Sequence, residues 1–426
     1  MRPGRALPAA ALAGLMACAA SVSAAEGFDV SAYEKKAFEW NAFVELMPEH
    51  QWLRRGSTGY ALMFAGQTSD ALDRRSEAVE ASGIWRHETL SFNFTGHANT
   101  ADDAQGSSHD GRMYEAYAAW QFDPPSTAEV GKRALHWGKG YAWNPVAFFE
   151  RPKDPTDPDM AREGFVMADA TWVRSFDGPL KTLSATGLVV PTTSGLNPTF
   201  GPAGHLNPAV KIYALLFDTD LDLIVAGRGG RGPRLGLDFS RNLGNALEVH
   251  GEWASSTDMP QALLGAGNTL TMQARNYTSA LLGLRYLTER DTTFIFELYR
   301  NGSGYAPAQI DPFYELVRAS AANPALLQTA GRAAAQGYNR PNALKNYAYL
   351  RVSQNEPFDI VNFTPALSVI ADTGDHSFSL IPEAVYTGIN NLELRLRLML
   401  NRGDSGTEFG EKPVRTRLEF RARCFF

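Results

Sequence analysis

The stretch Arg417-Leu418-Glu419-Phe420-Arg421-Ala422-Arg423-Cys424-Phe425-Phe426 decides the fold. Leu418, Phe420, Ala422, Cys424 and Phe426 share one parity, and Arg417, Glu419, Arg421, Arg423 and Phe425 share the other. Side chains of a strand alternate between faces with period two, so one face is apolar and the other mainly ionic. A soluble sheet can carry this pattern with its apolar face in a core. A strand that ends the chain on an aromatic, with charges opposite, fits a membrane barrel better. There the apolar face meets lipid and the ionic face meets a wet lumen.

The alternation recurs along the chain. Leu247, Val249, Gly251 and Trp253 oppose Glu248, His250 and Glu252, and Leu392, Leu394, Leu396, Leu398 and Leu400 oppose Glu393, Arg395 and Arg397. A helix would need apolar spacings of three and four, so period two prevails. Tight turns fall at Asp123-Pro124-Pro125, Asp177-Gly178-Pro179, Asp218-Thr219-Asp220, Leu243-Gly244-Asn245, Thr288-Glu289-Arg290-Asp291, Asn355-Glu356-Pro357 and Ile389-Asn390-Asn391. Such Gly, Pro, Asn and Asp clusters suit hairpins. Between them lie longer connections near 138–164, 192–207, 256–274, 302–344 and 403–412. Short turns at one end and long loops at the other predict a single antiparallel transmembrane β-barrel over 26–426, of about 18 strands with 16 as the alternative. The first strands are placed at 38–54, 58–67, 84–98 and 111–123, leaving polar 68–83 as a turn or short helix. Residues 311–336 read as one or two short helices inside a loop.

Arg2 and Arg5, an apolar run from Leu7 to Ala20, and Ser21-Val22-Ser23-Ala24-Ala25 predict a removable export signal over 1–25. Leu15-Met16-Ala17-Cys18 offers a competing reading in which Cys18 is lipidated. Removal of the leader takes two of 40 basic residues against 46 acidic ones, moving the formal charge from −6 to −8. That balance argues against a nucleic-acid partner. It would also leave Cys424 as the single cysteine, so an intramolecular disulfide is not expected to staple the mature protein. No later run approaches the roughly 18 apolar residues of a membrane helix.

With its leader, hairpins and terminal Phe426, the chain resembles Gram-negative outer-membrane β-barrels, and Gly131 to Gly140 followed by Asn144-Pro145 resembles a strand-to-loop passage of porin-like and alginate-export-like barrels. The resemblance implies residence in outer-membrane lipid, with Phe426 read by the barrel-assembly machinery. It leaves the oligomeric state open.

The non-lipid parity of each strand faces the lumen. Arg395, Arg397, Arg417, Arg421 and Arg423 then form a basic wall opposite acidic Asp238, Glu248 and Glu252. The expectation is a passive channel for small hydrophilic solutes, anionic ones favoured, with selectivity set by these two walls. Two alternatives stand beside it. One is an export or surface-binding barrel for an acidic polysaccharide, guided by Tyr141, Trp143, Phe148 and Phe149 in the loop; the other is an outer-membrane enzyme. Among eight histidines, His250 between Glu248 and Glu252 is the nearest approach to a metal set, but i and i+2 on one strand lie about 7 Å apart. No nucleophile elbow, phosphate loop or zinc spacing occurs, so neither catalysis nor a cofactor or metal is expected.

Overall fold

The computed structural model describes residues 36–64, 68–320 and 323–426. The leader expected over 1–25 and Cys18 lie outside them. Eighteen strands follow one another. They are β1 Phe38–Leu53, β2 Ala71–His87, β3 Leu90–Asp103, β4 Gly106–Asp123, β5 Ser126–Arg133 and β6 Phe165–Ser175, then β7 Leu180–Thr192, β8 His205–Leu216, β9 Thr219–Ala226, β10 Arg234–Leu243, β11 Leu247–Leu264 and β12 Leu270–Leu287. The last six are β13 Thr292–Arg300, β14 Asn346–Gln354, β15 Phe363–Asp372, β16 Phe378–Ile389, β17 Leu392–Arg402 and β18 Val414–Phe425. Each pairs antiparallel with its sequence neighbours. The ring closes where β1 meets β18, with Val44 opposite Cys424 and His50 opposite Leu418. Closure reaches the final residue: Phe426 donates its backbone N–H to the Ala42 carbonyl at 2.9 Å.

The turns at 88–89, 124–125, 176–179, 217–218, 244–246, 288–291, 355–362 and 390–391 share one end of the barrel with both chain ends of the ring. The opposite end carries the longer connections, including 134–164 and 301–345. The latter holds the helices Pro307–Ser320 and Pro324–Ala333, the first beginning four residues before the stretch 311–336 read as helical. This helical loop caps β11, where Tyr338 Oη accepts from the Leu264 N–H at 2.8 Å and Tyr305 Oη donates to the Ala262 carbonyl at 3.1 Å.

Two placements differ from the sequence reading, although the count of 18 is unchanged. The strand expected over 58–67 is not found in its described part, 58–64: Thr58–Met63 is a helix capped by Ser57, whose Oγ accepts from the Tyr60 N–H at 3.1 Å. The polar 68–83 segment supplies most of β2, and the turn falls at Glu88, whose φ is 52°. Polarity misled because the upper half of β2, with Asp73, Arg74, Arg75 and Glu77, runs toward the loop end, and charges there need no core. Residues 256–274 are not a loop. β11 and β12 stay paired up to Leu264 opposite Leu270, broken by one irregularity between Ser256 and Met259 where Asp258 takes φ 54°.

Outward positions carry the apolar side chains. Leu221, Leu223 and Val225 of β9, Leu235, Leu237 and Phe239 of β10, and Leu418 and Phe420 of β18 are all exposed. Trp40, Trp85, Trp120, Trp172 and Phe217 lie exposed toward the short-turn end, as an aromatic girdle would. The buried core lies inside the ring. Loop residues Leu135, Trp137, Val146, Phe148 and Phe149 pack on inward-facing Phe165, Met167, Val190, Ile224 and Ala254 of the wall. Among the described residues, no helix is long and apolar enough to cross a membrane.

The face assignment makes a prediction. Leu223→Arg, on the outward face, should destabilise the barrel folded into lipid vesicles by about 2–4 kcal/mol, as charge costs at mid-membrane. Ser184→Arg, on the inward face of β7, should cost much less. Equal shifts in the urea unfolding midpoint would overturn the assignment.

Candidate functional site

Inward residues of β16, β17, β18 and β1 build an ionic ladder. Register places Arg395 opposite Arg421, Arg397 opposite Glu419, and Glu45 opposite Arg423. Arg397 Nη2 lies 2.8 Å from Glu383 Oε2, Arg351 Nη2 3.1 Å from Glu383 Oε1, and Arg423 Nη2 2.6 Å from Glu45 Oε2. Arg395 sits 3.2 Å from Glu393, and Arg417 sits 3.8 Å from Glu49 and 3.6 Å from Glu419. The directly opposed pair Arg395 and Arg421 is unfavourable by itself, since like charges across a ladder repel. Asp157 resolves it. Its Oδ2 lies 3.1 Å from Arg421 Nη2 and 3.5 Å from Arg397 Nη2, and its Oδ1 lies 3.7 Å from Arg395 Nη1. Burial would raise the Asp157 carboxyl, but Arg397, Arg421 and Arg395 outweigh burial and hold it below the ordinary range.

Asp157 belongs to loop 134–164, which crosses the lumen from the far side. There two wall carboxylates grip its backbone. Glu252 of β11 accepts N–H bonds from Lys139 at 2.6 Å, Gly140 at 2.7 Å and Val146 at 3.1 Å. Glu297 of β13 accepts from Tyr141 and from Ala142, the latter at 2.9 Å. Carboxylate acceptors for buried amides give the stronger, charge-assisted kind of bond. The Gly-Lys-Gly run makes the grip possible. Gly138 has φ 91°, in the left-handed region that favours glycine, and a Cβ there would come 2.8 Å from Glu252 Oε1. Between the glycines, Lys139 extends its Nζ to 3.1 Å from Asp222, which Lys211 also approaches at 3.1 Å.

The predicted site residues therefore divide. Arg395, Arg397, Arg417, Arg421 and Arg423 face inward and are drawn together, but each is matched by a carboxylate. Asp238 and Glu252 are also inward and, like Arg397 and Arg421, buried, Asp238 lying 3.9 Å from Lys139. The acidic wall is thus spent on holding the loop, and an open acidic face opposing a basic one is not what the structure has. Glu248 lies 3.6 Å from His250 Nδ1, while His250 Nε2 lies 3.0 Å from Glu297. Among the described residues, no cluster of three or more His, Cys, Asp or Glu is arranged to hold a metal.

The loop aromatics serve packing. Trp143 stacks on Tyr299 with centroids 5.1 Å apart, Phe149 stacks on Phe200 at 5.5 Å, and the Phe148 carbonyl accepts from Arg234 at 2.9 Å. Tyr141 donates its hydroxyl to Asp159 at 3.1 Å. Sequence reasoning missed Asp157, Glu297, Asp222 and Lys139. Glu297 had a signal, a charge on the lumen parity of Phe294-Ile295-Phe296-Glu297-Leu298. Asp157 had none beyond its place between Pro155 and Pro158.

No family model matches the chain, and no curated protein does. Solved structures do share its fold. OccAB3 of Acinetobacter baumannii superposes with a TM-score of 0.50 at 10% identity, covering 91% of this chain and 99% of that one. OccK5 (OpdH) of Pseudomonas aeruginosa gives 0.50 at 11% identity, covering 91% and 97%. A mutant porin of Rhodopseudomonas blastica gives 0.42 at 10% identity, covering 91% and 100%. At such identities the likeness to OccAB3 and OccK5 is one of fold alone.

Two predictions follow from the clamp. Glu252→Ala would leave two buried amides, Gly140 and Val146, and the part-buried Lys139 amide without their acceptor, each buried one costing about 1–3 kcal/mol. Proteases should then cut loop 134–164 in the folded barrel, whereas the wild-type loop resists; a resistant variant would count against the clamp. The second concerns Glu150, which accepts from the Trp137 N–H and lies 3.2 Å from Arg162. Burial pushes its carboxyl from 4.5 up to about 7, against the opposing pull of that N–H and of Arg162. A folded value above the unfolded one means the stabilisation is complete below 4.5 and is lost as pH rises through about 7. Hydrogen exchange of the loop amides should quicken across that window beyond its intrinsic pH dependence, and Glu150→Gln should flatten the excess.

Proposed function

We propose that this chain is an outer-membrane channel through which small hydrophilic solutes diffuse passively. The observation that carries the reading is a closed strand ring whose exposed face is apolar and whose inner face is ionic. Such a ring satisfies every strand edge, which is what hydrocarbon demands. The fold shared with OccAB3 and OccK5 supports the same reading. Loop 134–164 narrows the lumen, with Asp157 in contact with Arg395, Arg397 and Arg421, so solutes pass beside that contact, along the part-exposed Arg351, Arg417 and Arg423. The chain acts as a conduit rather than a catalyst: His250 is engaged by Glu297 and Glu248, and Ser240 opposite it donates its hydroxyl to Glu248. Outer-membrane lipid and small polar solutes are its partners, and the assembly machinery would read Phe426.

Planar-bilayer recording tests this. The purified barrel should give discrete conductance steps, and Arg395→Ala with Arg421→Ala should shift the reversal potential in a salt gradient toward cation preference. A silent wild-type protein would sink the channel reading. An unshifted potential would leave a channel whose filter lies elsewhere.

A further inference from the structure

We propose that the cleft between loop 134–164 and the helical loop 301–345 binds a neutral sugar. The inference deepens the channel reading by naming a class of solute. It rests on that reading for its purpose, though not for the binding itself.

A cavity of about 390 Å³ opens where the two loops meet, a size that suits a small molecule. Asn144, Lys153 and Asp154 line it from the loop that crosses the lumen, and Arg340 and Asn342 line it from the helical loop. Trp143 and Tyr299, stacked on each other, lie between them. Both walls are tied to the barrel. The clamp of Glu252 and Glu297 holds the first, through the amides just before Trp143. Asn301, at the top of β13, holds the second by donating its Nδ2 to the Asn342 and Leu344 carbonyls, at 3.0 Å each. The cleft is therefore built by the fold, with its polar groups already in place.

Its charges favour a neutral guest. Lys153 Nζ donates to the Gly140 and Tyr141 carbonyls at 2.6 and 3.1 Å, and Arg340 Nη2 donates to the Ser303 hydroxyl at 3.1 Å and to the Ser303 carbonyl. Both cations thus take neutral oxygens as partners. Asp154, which accepts from the Thr156 N–H at 2.9 Å and hydroxyl at 2.8 Å, stands against an incoming anion, as Lys153 and Arg340 stand against a cation. Donors are in surplus: the Trp143 indole N–H and Arg340 Nε are buried with no hydrogen-bond partner. Leaving such donors unmatched is costly. The faces of the Trp143 ring are taken by Tyr299, Tyr347 and Tyr349, so its N–H is what remains for a solute. A sugar hydroxyl accepts from these donors without bringing charge, and it can donate in turn to Asp154 or to the Asn342 side chain.

Methyl glucoside, methyl glucuronoside and methyl glucosaminide share one ring and differ in charge. They are the probes, titrated by saturation-transfer NMR against the folded protein in a sugar-free detergent. The neutral glucoside should bind about fivefold more tightly than either charged analogue. Trp143→Phe, which keeps a ring and removes the N–H, should weaken glucoside binding about five- to tenfold, the worth of one hydrogen bond. Arg340→Leu should weaken it by a similar factor. Equal affinity for the three probes, tighter binding of a charged one, or glucoside affinity that neither substitution moves would overturn the proposal. Should Trp143→Phe fail to fold, Arg340→Leu carries the same test from a loop outside the strand ring. In bilayers the glucoside should reduce the wild-type ion current more than that of Arg340→Leu. A wild-type protein that never conducts would remove the channel reading, while the binding arm would still judge the cleft.

Discussion

The pairing of β1 with β18 is the contact on which the remainder depends. An unpaired strand edge facing hydrocarbon leaves a row of N–H and C=O groups without partners, at several kcal/mol apiece. Only a ring removes both edges. Once β1 and β18 meet, with hydrogen bonding carried through to Phe426 and Ala42, every strand has two neighbours. The side-chain period then does the sorting. Residues of one parity face out and are apolar; residues of the other face a space that must be filled or wetted.

How that space is used is what gives the molecule its character. A ring of this size does not fill itself with wall side chains alone. The chain folds loop 134–164 back inside, where its aromatics make a conventional buried core against β6 to β11. A loop buried this deeply brings peptide groups that need partners. Glu252 and Glu297 supply them on one side, and Arg234 takes the Phe148 carbonyl. Charge placement on the wall is thus dictated as much by the loop's backbone as by any solute. This is why two of the three presumed acidic residues are buried, and why Arg397 and Arg421 of the ladder on the other side are buried as well, leaving Arg395, Arg417 and Arg423 part-exposed.

Much of the architecture was legible in the chain. The alternation at Arg417 to Phe426, the leucine ladder at Leu392 to Leu400, and seven of the eight short turns announced strands, faces and hairpins without reference to anything distant. Failures came where local polarity was ambiguous. Charged 68–83 looked like a connection because its charges sit near the loop end of β2, and 58–63 took a helix because Ser57 offered a cap. The paired extension of β11 and β12 was hidden by Gly265 and Gly267, which mark only its tip.

The candidate site was legible as a set of wall residues and not as an arrangement. Parity, a local property with period two, fixed that Arg395, Arg397, Arg421, Glu252 and Asp238 all point inward. Which of them meets Asp157, which meets the Gly138-Lys139-Gly140 backbone and which faces open lumen depends on where a loop of some thirty residues comes to rest. That is settled by packing across the barrel, between segments more than a hundred positions apart such as Gly140 and Glu252 or Asp157 and Arg421. The sequence by itself determined a closed, outward-apolar ring. The tertiary structure alone decided that its lumen is crossed by a clamped loop, because ion pairing and amide satisfaction are global demands that no local period encodes.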